Sequence, residues 1–166
     1  MELSKNLIKM GIKIQLQINN LKIIFTHVAI PLLFGGLIYI SFRSLSLRMF
    51  EWFQWCKIDF FTSSIRSQMY PLKSHLPPWF YFSLPDALWV YSFSSALLIL
   101  WNNDFEKVKY WLLIPFVSGI LIEILQGFKL FHGTFDFLDL FFSTLGLLLS
   151  INIIDSKFNK YDKQVS

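Results

Sequence analysis

The sequence predicts an all-α, polytopic membrane protein: four transmembrane helices, an N-terminal amphipathic helix, and an interfacial aromatic segment between the first and second spans. Three observations lead there. Of the 166 residues, 54% are hydrophobic and only 16% charged, a balance far from that of soluble domains. The 19 phenylalanines and a mean hydropathy of +0.49 call for more apolar volume than a chain of this size encloses in water. Finally, four apolar runs approach the roughly 17–25 residues needed to cross the hydrocarbon layer.

The elements follow in order. Residues 1–20 place Lys5, Lys9 and Lys13 at helical spacing beside Ile8, Ile12 and Leu16, a basic amphipathic helix suited to an anionic leaflet. A cleaved signal peptide fits less well, because the apolar run starts late and no small-x-small site follows it. The first span is 21–42. The extracytoplasmic loop, 43–83, is interrupted by Arg48, Glu51, Lys57 and Asp59, and its tryptophans and phenylalanines read as an aromatic belt at the membrane surface. Pro77-Pro78 ends that belt. The second span, 84–101, opens with Pro85 at a first helical position and Asp86 in the first turn, where the helix dipole favours an acid. The short polar turn "NNDFEKVK" makes a hairpin with the third span, 110–126. The fourth is 137–154, and 155–166 form a tail.

Lys5, Lys9, Lys13, Lys22, Lys107, Lys109, Lys157, Lys160 and Lys163 fall on one side of this arrangement, and Arg43, Arg48, Lys57, Arg66, Lys73 and Lys129 on the other. The tails and the short turn weigh more than the long loop in the positive-inside rule, so both termini are expected in the cytoplasm. The net charge of +4 is dispersed, with no basic groove for nucleic acid. Cys56 is the only cysteine and has no intramolecular partner.

With that topology, acids gather on the outer face. One run holds Gly119, Glu123 and Gln126 on a single stripe; the next holds Asp136, Asp139, Ser143 and Gly146 at similar spacing. Small residues let helices approach, so the polar stripes are expected to face each other. Thr134 and Asp136 suit a helix start. Glu123 and Asp139 lie within apolar runs, where a carboxylate is a functional candidate or a hydrogen-bonded knot between helices. Two close carboxyls repel, so one can hold a proton or both can take a cation or basic group. Lys129 and His132 are the nearest cationic candidates in sequence. Asp86 and Trp89 stand at the mouth of the second helix. No metal-ligand pair at recognised spacing, nucleophile elbow, phosphate loop or dinucleotide fingerprint is present, so no cofactor and no metal is expected.

"IEILQGF" followed by "GTFDFLDLFFSTLGLLLS" resembles the signature of the VanZ-like family of small bacterial membrane proteins, through Glu123, Gln126, Thr134, Asp136, Asp139 and Gly146. Ser143 stands where the family often has asparagine, and Gly133 or a neighbour where it often has arginine. The resemblance implies a multi-helix protein of the bacterial inner membrane, in a family whose namesake is linked to teicoplanin resistance. The resulting expectation is an acidic outer pocket, formed by Glu123, Asp139, Gln126 and Asp136 with Asp86, Trp89, Thr134 and Ser143, that binds an envelope lipid, a lipid-linked glycan precursor or an amphiphilic antibiotic. Two alternatives stay open: a structural subunit docking a membrane-protein partner through the aromatic segment, and an enzyme using paired carboxyls as acid and base on a lipid-linked substrate.

Overall fold

The computed structural model describes residues 21–128, 130 and 136–165. The amphipathic segment 1–20, Lys129, His132, Gly133 and Thr134 fall outside these residues, as do the side chains of Glu123 and Gln126. The described residues form an all-helical structure. Its elements are α1 (Leu21–Phe42), α2 (Arg48–Trp55), α3 (Asp59–Met69), a 3-10 turn (Tyr70–His75), α4 (Pro78–Phe82), α5 (Leu84–Leu100), α6 (Phe105–Gly127) and α7 (Phe137–Val165). Among the described residues, two helices are long and apolar enough to cross a membrane, α1 and the Phe137–Phe158 part of α7. The 17-residue α5 is apolar but shorter.

α1 is not regular. Phe25–Ala29 form a π turn in which the Ile30 N–H donates to the Phe25 carbonyl. Pro31 lies just downstream; it has no N–H to donate, and its ring crowds the carbonyl four residues back, so the wider turn relieves both problems. The exposed backbone is taken up by α5, where Ser92 Oγ donates to the Val28 carbonyl at 2.7 Å and Tyr91 Oη lies 2.6 Å from His27 Nδ1. Neighbouring hydroxyls commonly re-satisfy proline-disturbed backbone in this way.

α5 is the central helix, packing on α1, α4, α6 and most extensively on α7. Small residues set its distances. A Cβ built on Gly146 of α7 would lie 2.4 Å from the Ala87 carbonyl oxygen, and one on Gly35 of α1 would lie 2.8 Å from Trp89 Nε1. At the far end Ile23, Leu97, Leu98, Ile99, Val108, Leu112 and Ile154 close one apolar cluster. That cluster ties the start of α1 to the end of α5, the start of α6 and the later part of α7, so the four long helices run up and down. Their outward faces stay apolar: Leu33, Phe93, Tyr110, Trp111 and Phe137 are all about half exposed or more.

Among the described residues, two turns end in left-handed residues. After α5, Asn102 and Asn103 have φ of 49° and 59°, with the Asn102 N–H on Ile99 O and the Asn103 N–H on Leu98 O. This is the paired helix-end bond pattern that favours asparagine or glycine. Asn103 Nδ2 also donates to Asp155 Oδ1 at 2.8 Å, fastening the turn to α7. Asp104 starts α6 and pairs with Lys107 at 2.6 Å. The hydrogen bond to that ammonium holds the Asp104 carboxyl below its ordinary value of 3.8, and the same contact raises Lys107 above 10.5. After α2, Lys57 takes φ 58° in the same pattern, its N–H on Gln54 O and that of Ile58 on Phe53 O.

Residues 43–83, expected as a loop lying on the membrane surface, form α2, α3, the 3-10 turn and α4. Pro77 is extended and Pro78 sits in the first turn of α4, so the pair starts a helix as well as ending the preceding turn. Trp55 and Phe60 are each 82% exposed.

Candidate functional site

The last carbonyls of any α-helix lack intrahelical donors and carry the negative end of its dipole. At the end of α1, two cations from other elements supply donors. Arg66 Nη1, in the last turns of α3, donates to Ile40 O at 2.6 Å and to Arg43 O at 2.8 Å. Lys73 Nζ, in the 3-10 turn, donates to Phe42 O at 3.1 Å. Arg43 itself breaks the helix with ψ 160°, and its Nη2 reaches Phe82 O at 3.2 Å and Asp86 Oδ2 at 3.9 Å.

Aromatic rings hold these cations in place. The Arg66 guanidinium lies over Phe50 and Tyr70 at 5.2 and 5.4 Å, Lys73 over Tyr81 at 4.8 Å, and Arg43 over Phe82 and Tyr39 at 5.1 and 5.2 Å. Each contact is within reach of the ring quadrupole and shields one side of the charge from water. Phe50 is buried, and Thr62, one turn before Arg66, is buried with its hydroxyl on Asp59 O. Together they orient the Arg66 face of α3 toward α1.

Between the end of α1 and the α2–α3 pair lies a recess of about 850 Å³. Arg43, Arg66 and Lys73 line it, with Ser63 and Ser67 on α3, and Asp59 is the carboxylate in its lining. Among the described residues, neither Arg66 nor Lys73 has a carboxylate within ion-pair distance. The arrangement can hold the polar end of an amphiphile where the first apolar helix stops.

The residues singled out in the sequence are placed as follows. Asp86 Oδ2 lies 3.9 Å from Arg43 Nη2. Trp89 is half-buried, its ring 5.1 Å from Tyr39 and its indole against Gly35. Asp136 caps α7, accepting from the Leu138 N–H at 2.9 Å, as a residue just before a helix does. Asp139 lies in the first turn of α7, and its Oδ1 is enclosed without a hydrogen-bond partner. Ser143 is buried one turn before Gly146. The backbones of Glu123 and Gln126 fall in the last turns of α6, at the same end as the start of α7. Thr134 is outside the described residues. Among the described residues no group of three His, Cys, Asp or Glu is placed to hold a metal.

Along the sequence Arg43, Arg66 and Lys73 stand out only as orientation charges, and His27, Tyr91 and Ser92 have no evident role. The recess leaves no motif because its cations come from segments separated by long stretches of chain. The polar residues of the π turn did leave a signal, a histidine four residues before a proline inside an apolar span.

No protein-family model, curated protein or solved structure matches the chain.

Proposed function

We propose that this chain is a VanZ-like integral protein of the bacterial inner membrane, with four spans and both termini in the cytoplasm, that holds the polar end of an envelope lipid, a lipid-linked precursor or an amphiphilic antibiotic. The observation behind this reading is the recess of about 850 Å³ at the end of α1. Its volume falls in the range typical of small-molecule sites, and its position is where the apolar α1 gives way to exposed aromatic residues, the level at which a lipid headgroup meets its tails. The apolar outward faces of the four long helices support the membrane part of the reading.

The test is lipid retention. Purified protein in mild detergent, analysed by native mass spectrometry, should keep bound lipid. Ser67→Trp, which fills the recess from an exposed position on α3, should lose it while melting at the same temperature. Equal retention by both proteins defeats the reading.

A second reading keeps the acidic cluster as the site. The enclosed Asp139 Oδ1 without a donor favours it, since an unpaired buried acceptor is costly unless protonation or a ligand satisfies it. In that reading Glu123→Gln and Asp139→Asn insert normally but lose ligand retention, and unchanged retention in both removes it.

A further inference from the structure

We infer that the recess is a phosphate site: Arg43, Arg66 and Lys73 together recognise the phosphate of an anionic lipid headgroup. The inference rests on the preceding reading that the recess holds the polar end of a lipid, and adds the chemistry that end must have.

The first argument is charge. The end of a helix is equivalent to about half a negative charge, which one cation offsets, and here three converge. Arg43 has Asp86 beside it. Arg66 and Lys73 then face a lining whose carboxylate is Asp59, which is in ion-pair contact with neither. The recess is therefore left with positive charge that the described fold does not neutralise, close to an apolar surface where screening by water is reduced.

The second argument is hydrogen bonding. An ammonium has three donors and a guanidinium five. Lys73 gives one to Phe42 O. Arg66 gives its Nη1 donors to Ile40 O and Arg43 O, which leaves Nη2 and Nε. Arg43 Nε is buried with no acceptor. A buried cation donor without an acceptor is costly. The backbone carbonyls fix each cation on one side and the aromatic rings on another, leaving the remaining donors for a group rich in acceptors. A phosphate monoester or diester meets that demand with several oxygens and one to two negative charges, and guanidinium groups match it in geometry. A zwitterionic headgroup brings its own cation, which these three would repel.

The experiment measures retention of dioleoyl phosphatidic acid and of dioleoylglycerol, lipids with the same tails with and without the phosphate, by native mass spectrometry of the full chain. The expected result is at least ~10-fold preference for phosphatidic acid, reduced about 10-fold by Lys73→Gln and by Arg66→Gln, since a hydrogen bond to a charged group is worth that much. Arg66 also caps α1, so if Arg66→Gln fails to fold, Lys73→Gln decides alone. Displacement of phosphatidic acid by millimolar inorganic phosphate shows that the phosphate is recognised without its tails and supports the inference for a free-phosphate source; absence of displacement supports the lipid source. Equal retention of the two lipids, both lost in Ser67→Trp, overturns the phosphate inference and leaves the lipid reading standing. Retention of neither, or no effect of Ser67→Trp, overturns both.

Discussion

Gly146 of α7 presses its Cα against the main chain of Ala87 in α5 so closely that a single methyl group added there would overlap the Ala87 carbonyl oxygen at 2.4 Å. Gly146 has a mechanical task here. It sets the distance between the two most extensively packed helices.

Gly146→Ala must therefore move one helix, because the obstacle is backbone and cannot rotate away. The expected loss is ~1–3 kcal/mol, the usual cost of overpacking. Gly36→Ala and Gly119→Ala meet nothing within 4 Å and should leave stability unchanged or raise it by up to about 1 kcal/mol, alanine being the better helix former. Thermal unfolding of the three variants in one detergent checks the contrast; a Gly146→Ala protein as stable as the other two would refute it.

Ser92→Ala removes the hydroxyl that reaches the Val28 carbonyl in the π turn. Interhelical hydrogen bonds inside membrane bundles average ~0.6 kcal/mol with a maximum near 1.7, and Val28 O sits in a turn already loosened by Pro31, so a loss of about 1 kcal/mol is expected. Hydrogen exchange should rise at residues 26–30 and stay unchanged at the Asn102–Asn103 turn.

Lys57→Gly places glycine where the backbone already has φ 58°. Relief of the left-handed strain exceeds the added freedom of the unfolded chain, so the α2–α3 pair should gain about 0.5–1 kcal/mol. Asn103→Gly, at φ 59°, should show no such gain, because it forfeits the bond to Asp155 Oδ1. Denaturant midpoints of the two variants should thus move differently.

The Asp104–Lys107 contact gives the turn before α6 a pH dependence. Because the Asp104 carboxyl is lowered from 3.8 by its hydrogen bond to Lys107, its stabilising contribution is complete above the unfolded carboxylate value and disappears as pH falls through the lowered one. Lys107, raised from 10.5, contributes fully below that value and loses its share as pH climbs past the raised one. Amide protection factors at residues 104–108, which remove the intrinsic pH dependence of exchange, should be flat through neutral pH and fall at both extremes; Asp104→Asn should abolish the acid limb. Both groups are solvent-exposed, so the change should remain local.

Legibility varied along the chain for physical reasons. The apolar run 21–42 coincides with the Leu21–Phe42 helix, since a continuous apolar run of that length has few alternatives to a helix. Asp136, read as a helix-start residue, makes the expected cap bond, because capping depends only on near neighbours. α6 starts at Phe105 rather than near residue 110, drawn back by the Asp104 cap, and α7 continues past residue 154 to Val165, as charged residues end a membrane span without ending a helix. The recess was not legible, because Arg43, Arg66 and Lys73 meet only after the chain folds back. Those same residues are half of the cations that weakened the charge asymmetry used for orientation. With carbonyls, rings and Asp86 as partners, they also serve the local fold.

The π turn in α1 has a consequence for register. A π turn spends one more residue than an α turn to advance the chain, so the part of the helix before Phe25 is rotated by about 100° from where an unbroken α-helix would put it. Removing one residue from 25–29 would let the helix close into ordinary geometry, yet it would swing Ile23 away from Leu98 and Ile154, and His27 away from Tyr91. The irregular turn is what lets one helix address two differently placed surfaces of its neighbours.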